Sequence, residues 1–269
     1  MMLTTRSRQV TEIVRDRAAA QAEQRAMMRT KIAPHNPLAK VISDGAWHDE
    51  PCFIIAGGPS LTGFDFERLR GKGRIIAINR AFEFCGFADV LFFMDNKFYK
   101  ICHDKPERLA KWRAFEGHKV FLNLMGRRYD DCYSVRSLGR NGLSGSVAKG
   151  LYHGNNSGIG ALNLALCLRA RPIYLLGYDM RFEGGRSHFH DGYGPRPHEN
   201  VIRSFIRDFE RMAKYMRGKG HIVNLNPRSA LRIFPFGDID EVLKDGTTGQ
   251  GMGGDVTAPR AVELQPASA

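Results

Sequence analysis

The stretch C-F-I-I-A-G-G-P-S-L at residues 52–61 decides the reading of this chain. An unbroken apolar run stops at Gly57-Gly58, meets Pro59 and passes through Ser60 into residues able to form a helix, which reads as strand, tight loop, helix. In an open α/β sheet such a loop lies at the carboxyl end of a strand, where ligands bind, and its glycines let backbone N–H groups approach a phosphate. Pro59 has no N–H and presets the first helical turn, leaving Gly57, Gly58 and Ser60 to face an anion. A plain connecting turn uses the same residues, so the decapeptide alone leaves both readings open.

Working outward, the pattern repeats. Apolar runs at 74–78, 89–94, 119–123, 172–177 and 221–225 alternate with helix-like stretches at 62–69, 81–87, 105–115, 155–169 and 199–216. Strands apolar on every residue, separated by helical patterns, imply a parallel sheet covered on both faces. The expected fold is therefore α/β and Rossmann-like: a mostly parallel sheet of about six strands with helices on both sides. Several strands end in polar residues on one rim, namely Asn79-Arg80, Asp95-Asn96 and Gly177-Tyr178-Asp179. Asn156 or Ser157 can cap the helix that follows, whose N-terminus is a ready anion site.

This domain is expected at 34–245. Residues 1–33 read as a basic, weakly amphipathic helical arm, and 246–269, rich in Gly, Thr, Pro, Ala and Gln, as a disordered tail. The chain has 40 Lys plus Arg against 28 Asp plus Glu, a formal +12 that favours polyanionic partners such as nucleotides, nucleic acid or anionic lipid. Five scattered cysteines without a C-x-x-C pair suit a reducing compartment. No apolar run is long enough to span a membrane, so a soluble, cytoplasmic protein is expected. A Walker-type loop and a G-x-G-x-x-G fingerprint are missing, and Asn79-Arg80 stands where a nicotinamide site needs an acid, which argues against a dehydrogenase.

Two stretches remain. Residues 126–154 lose periodicity and carry Arg127, Arg128, Arg136, Arg140 and Lys149, which suits either a lid over an anionic ligand or a solvated basic loop. Residues 181–198 hold Arg181, His188, His190, Asp191 and His198. His-x-His-Asp matches a metal half-site, but imidazole's resting pKa better fits a general base on an acceptor hydroxyl, and no dedicated metal site is assigned. The helix at 199–216 is expected to bury Val201, Ile202, Phe205, Ile206, Phe209, Met212, Ala213 and Met216. Its other side carries Arg203, Arg207, Arg211 and Lys214, a solvated face or a contact for a polyanionic acceptor.

Taken together, Ala56-Gly57-Gly58-Pro59-Ser60-Leu61, Asn79-Arg80, Asp95-Asn96, Asn156-Ser157-Gly158, Gly177-Tyr178-Asp179 and Leu225-Asn226-Pro227-Arg228-Ser229 resemble the motif set of two related groups. These are the bacterial sialyltransferases of glycosyltransferase family 42 and the family named for the archaeal 6-hydroxymethylpterin diphosphokinase, which includes flagellin-glycosylation accessory factors and phage or prophage members. The resemblance spans about residues 50 to 245. It implies that Gly57, Gly58, Ser60, Asn79, Asn96, Ser157 and Gly158 surround a nucleotide, with Pro59, Arg80, Asp95, Asn156, Gly177 and Asp179 on the same rim.

The departures from that pattern matter equally. Arg181 stands near the place of a Tyr that serves the departing phosphate in the sialyltransferases, and Gly154 near that of an Arg; His188, His190 and His198 all compete for their histidine base. The leading expectation is glycosyl transfer from a nucleotide-sugar to an acceptor hydroxyl, with Arg181 and one of those histidines as catalytic groups. One alternative is diphosphate transfer from ATP, with Asp95 and Asp179 holding Mg²⁺. Another is a non-catalytic phage or bacterial accessory protein that retains the nucleotide fold. A nucleotide-type donor, nucleic acid as a polyanionic acceptor and a homo-oligomer complete the expected partners.

Overall fold

The apolar runs form strands because each is buried on both faces. In β1 (Cys52–Ile55), β2 (Arg74–Ile78) and β3 (Val90–Phe93), alternate residues enter opposite cores. Cys52, Ile54, Ile76, Ile78, Val90 and Phe92 face one, and Phe53, Ile55, Ile75, Ala77, Leu91 and Phe93 the other. The remaining strands are β4 (His118–Asn123), β5 (Tyr133–Gly139), β6 (Leu151–Tyr152), β7 (Ile173–Leu176) and β8 (Ile222–Asn224). The protein is seen as a computed structural model that describes residues 35–191 and 198–244. The arm expected at 1–33 and the tail expected at 246–269 lie outside the described residues.

All pairings are parallel, in the order β6-β5-β4-β3-β2-β1-β7-β8. The chain builds outward from β1 to β6 and returns on the other side of β1 as β7. The order reverses between β1 and β7, and the crevice at their carboxyl ends is where open α/β sheets bind ligands.

Helices cover both faces. On one side lie α1 (Asn96–His103), which buries Phe98 and Cys102, and α2 (Pro106–Ala114), which buries Trp112. On the other lie α3 (Ser157–Cys167) and α4 (Glu199–Met216), and a short α5 (Ile239–Lys244) closes the described chain against the first side. Nearly every residue of α3 is buried, which is why it reads as apolar all round rather than amphipathic.

The structure corrects four expectations. The sheet has eight strands where about six were expected: β5 and β6 lie inside the stretch at 126–154, so part of the expected lid or basic loop extends the sheet. β5, with the sequence Y-S-V-R-S-L-G, interleaves polar residues and lacks the continuous apolar signal of the central strands. The helix-like stretches at 62–69 and 81–87 are instead 3-10 turns, Pro59–Leu61, Phe66–Leu69 and Asn79–Glu83. α1 was not anticipated, because only Phe98 and Cys102 of its eight residues are buried.

The bounds of α4 match, but among the described residues its fully buried side chains lie in the second half. Phe209, Met212 and Met216 are buried, whereas Val201 is 39% exposed and Ile202, Phe205, Ile206 and Ala213 are partly so.

Candidate functional site

At the crevice, the loop after β1 is bound to the end of β7. The Ala56 N–H donates to Leu176 O (2.8 Å) and the Gly58 N–H to Gly177 O (2.9 Å). Asp179, 1% exposed, then brackets the loop: Oδ1 accepts from the Ser60 N–H (2.9 Å) and from Asn226 Nδ2 (3.0 Å), and Oδ2 from Ser60 Oγ (2.8 Å). Burial raises the Asp179 carboxyl above its ordinary value, and the two Ser60 bonds oppose that rise. A Cβ on Gly58 would lie 1.7 Å from Asp179 Oδ2 and 2.4 Å from Gly177 O.

This changes the reason for the glycine loop. Gly58 is glycine because protein atoms occupy the space its side chain would need. The Gly58 and Ser60 amides go to Gly177 and Asp179, so of the three amides expected to face a phosphate only that of Gly57 has no such partner among the described residues. For a cation, most of the Asp179 carboxylate's acceptor capacity is already taken, with Oδ1 accepting from the Ser60 N–H and Asn226 and Oδ2 from Ser60 Oγ.

Residues 183–191 fold over Gly57. Glu183 and Arg186 exchange backbone hydrogen bonds in a tight turn, and the Phe189 N–H donates to Gly57 O (3.0 Å). The Phe189 ring packs against Phe66 (5.5 Å between centroids) and Phe84 (4.9 Å), which holds this strap down. The strap thereby sets His188 and His190 above the loop, with rings 5.5 Å apart and inclined by 27°. Measured from a Cβ built on Gly57, His188 Nε2 is at 3.7 Å and His190 Nε2 at 3.8 Å, so both ring tips converge there.

Arg80 lies beneath the strap, only 6% exposed. Its Nε and Nη2 fork onto the Glu83 carboxylate, with Nη2 at 2.8 Å from Oε2. Its Nη1 donates to the Asp191 carbonyl and sits 3.3 Å from His190 Nδ1. Burial pulls the Glu83 carboxyl up, but Arg80 outweighs it and holds the group below its ordinary value. Burial, then Arg80, lowers the His188 pKa. The same causes, with His188 added, bring His190 down to about 4, so both rings are neutral at pH 7. Sequence reasoning placed Arg80 on the nucleotide; here it holds the strap. The available signal was Glu83 three residues on, the spacing of a helical ion pair.

Two other expected residues carry buried polar atoms with no partner among the described residues. Asn79 follows β2 with φ +51°, and its Oδ1 is an unpartnered acceptor. Asn156, 9% exposed, caps α3 by accepting the Ile159 N–H at Oδ1 (2.9 Å), while its Nδ2 is an unpartnered donor. Ser157 opens α3, and Gly158 O accepts from the Tyr178 hydroxyl (3.1 Å), which ties the first turn of α3 to the loop after β7.

The other expected residues engage different partners. Asp95 is solvent-accessible at the end of β3, and Asn96 Oδ1 accepts from the Tyr129 hydroxyl (2.6 Å). Arg181 is exposed and donates to Arg228 O (3.1 Å). His198 is the exposed cap of α4, with Nδ1 accepting from the Asn200 N–H (3.2 Å). Sequence reasoning missed Asn226 as a clamp on Asp179, although it marked the N-P-R-S motif, and it missed Phe189 as the strap's anchor.

No family model matches the chain, and no curated protein does. Among solved structures, the sialyltransferase CstII from Campylobacter jejuni, in complex with a substrate analogue, cytidine-5'-monophosphate, is similar at a TM-score of 0.42 and 16% sequence identity, over 71% of this chain and 85% of that one. Among the described residues, no helix is long and apolar enough to cross a membrane.

Proposed function

We propose that this protein is a nucleotide-dependent transferase that takes its donor at the carboxyl edge of the sheet, between the Gly57 loop and the first turn of α3. The reaction that suits the site is glycosyl transfer from a nucleotide-sugar to an acceptor hydroxyl. The observation that carries this reading is that two of the three buried side-chain atoms without a hydrogen-bond partner among the described residues, Asn79 Oδ1 and Asn156 Nδ2, belong to residues at the carboxyl edge of the sheet, the third being Arg136 Nε. Each such atom destabilises a fold by about 1–3 kcal/mol, and native proteins keep few of them without a purpose. A ligand offering both a donor and an acceptor would satisfy the two together. The partial positive charge at the start of α3 favours a phosphate there.

The histidines supply what the transfer needs. A neutral imidazole can take the acceptor's proton, and donors near Gly57 can stabilise the departing phosphate. Arg181 and His198 are given no role in this reading: both are exposed, with Arg181 Nη1 on the Arg228 carbonyl and His198 Nδ1 on the cap of α4. Diphosphate transfer with Mg²⁺ between Asp95 and Asp179 is disfavoured by the engaged oxygens of Asp179. A nucleic-acid acceptor along α4 is weakened because Arg203 pairs with Glu199 and Arg211 with Asp208.

A thermal-shift titration with CMP, UDP, GDP and ATP tests the reading. A nucleotide at 100 times its Kd stabilises by about 2.7 kcal/mol. Asn156→Asp keeps the capping oxygen and replaces only the unpartnered donor, and Asn79→Gly removes the unpartnered acceptor while relieving a positive φ. Both variants should melt no lower than the parent without ligand, and both should lose the nucleotide shift. If no nucleotide shifts the parent, or if both variants keep the full shift, the site is misplaced.

A further inference from the structure

We propose that Arg136 anchors an oxyanion site, one that takes a carboxylate or phosphate group of a ligand at the β4–β5 end of the sheet, apart from the donor site. The inference does not rest on the transferase reading. The register of β4 and β5 sets Arg136 beside Asn123, the last residue of β4, and Val135 enters the core that also holds Val120 and Leu122. Alternation then puts Arg136 and Asn123 together on the opposite face. Three strand spacings separate β5 from β2, so Arg136 lies about 14 Å across the sheet from the strand that ends at Asn79.

What marks Arg136 is the lack of a counter-ion. It is half-buried, no group accepts from its guanidinium among the described residues, and its Nε is shut off from solvent. By contrast, Arg74 in β2 reaches both Glu50 and Asp89, and Arg80 at the end of that strand forks onto Glu83. The acids nearest to Arg136 in sequence are engaged elsewhere. Asp130 pairs with His35 (2.9 Å), and Asp131 accepts from Trp112 Nε1 (2.6 Å) and the Tyr99 hydroxyl (3.3 Å).

The surroundings add positive charge instead of neutralising it. Asn123 Oδ1 accepts from the Arg127 N–H (3.0 Å) and Nδ2 donates to Arg127 O (2.8 Å), which folds the chain back onto the residue beside Arg136. On the β6 side, a Cβ at Gly150 would stand 3.0 Å from Arg136 Cβ, so Lys149 is close in the chain to the same place. Arg127, Arg128 and Lys149 are exposed, and none forms an ion pair among the described residues. A guanidinium keeps its charge at any ordinary pH, so an anion is the group that satisfies it. Water solvates the open Nη atoms but not the enclosed Nε. A small turn of the side chain lets Nε and one Nη grip two oxygens of a carboxylate or phosphate, the two-point match that suits arginine.

The test uses the full chain without nucleotide, with inorganic phosphate and acetate as probes against sodium chloride of equal ionic strength. At ten times its Kd, the favoured anion should raise Tm by about 3–6 °C, and Arg136→Met, which keeps the apolar stem, should lose that increment. The stronger of the two probes assigns the site to phosphate or to carboxylate. In chloride alone, Arg136→Met should melt no more than about 2 °C below wild type, because no internal partner is removed. A second measurement is independent of stability: the Arg136 Nε–H signal in a ¹H–¹⁵N spectrum, identified by its loss in Arg136→Lys, should move as the favoured anion is added. The proposal is overturned if neither anion stabilises wild type beyond chloride, or if Arg136→Met keeps the increment. It is equally overturned if Arg136→Met melts well below wild type in chloride, or if the Nε–H signal stays in place. Because no nucleotide is present, failure here is separate from failure of the nucleotide titration.

Discussion

Replacing Gly58 with alanine is expected to destabilise the protein severely before any ligand is added. The new Cβ would lie 1.7 Å from Asp179 Oδ2 and 2.4 Å from the Gly177 carbonyl, and the second of these is backbone of the loop after β7. Relief requires Asp179 to move by more than an ångström, away from the Ser60 N–H, Ser60 Oγ and Asn226 Nδ2 that it accepts from. Overpacking alone costs about 1–3 kcal/mol, and buried donors left short add about 1–3 kcal/mol each. These terms overlap, and Ser60 retains some access to water, so a total of about 3–5 kcal/mol is expected. For a domain of this size that lowers Tm by roughly 6–20 °C. The assay is thermal unfolding, checked by urea denaturation, without nucleotide. Gly57→Ala is the control: its nearest obstacle is His188 Cδ2 at 2.8 Å, a side chain able to swing aside, so a loss of less than about 1 kcal/mol is expected. A Gly58→Ala protein that melts within about 2 °C of wild type yet binds nucleotide poorly would refute the argument and restore Gly58 to the ligand.

Asp179 separates charge from geometry: Asp179→Asn keeps one acceptor oxygen and faces Ser60 Oγ with an amide it can accept from, so it should lie within about 1 kcal/mol of wild type, whereas Asp179→Ala strands three donors and should lose about 3–5 kcal/mol by urea titration. His190 predicts acid sensitivity. Its folded pKa of about 4 lies below the ordinary 6.5, so the unfolded chain binds the extra proton and stability falls as pH drops through that window. After discounting for the ring's partial exposure the loss is about 1–2 kcal/mol, and His190→Gln should remove that part of the slope in unfolding measured across the window. All five cysteines are buried, with the thiols of Cys85, Cys102 and Cys167 pushed up to about 12 and those of Cys52 and Cys132 also raised. Native protein at pH 8 should therefore resist a thiol-reactive chromophore that labels all five after denaturation.

The sequence by itself determined the layer architecture. Runs such as Phe53-Ile54-Ile55 and Leu91-Phe92-Phe93 are apolar on consecutive residues, which only a strand covered on both faces tolerates, and that dictates a parallel sheet with polar strand ends on one rim. It also determined the bounds of α4 and narrowed the cap of α3 to Asn156 or Ser157, of which the structure uses Asn156, because helical periodicity and capping chemistry are local. Tertiary structure alone decided what the rim residues do. The Ser60 and Asp179 side chains that meet are 119 positions apart, and Arg80 and His190 are 110 apart, so no local pattern records either contact. The same two glycines that read as a phosphate cradle turned out to differ: Gly58 is small because Asp179 and the Gly177 carbonyl fill its side-chain space, whereas Gly57 meets only two imidazole side chains. Both lie in one decapeptide, and only the chain that returns through β7 tells them apart.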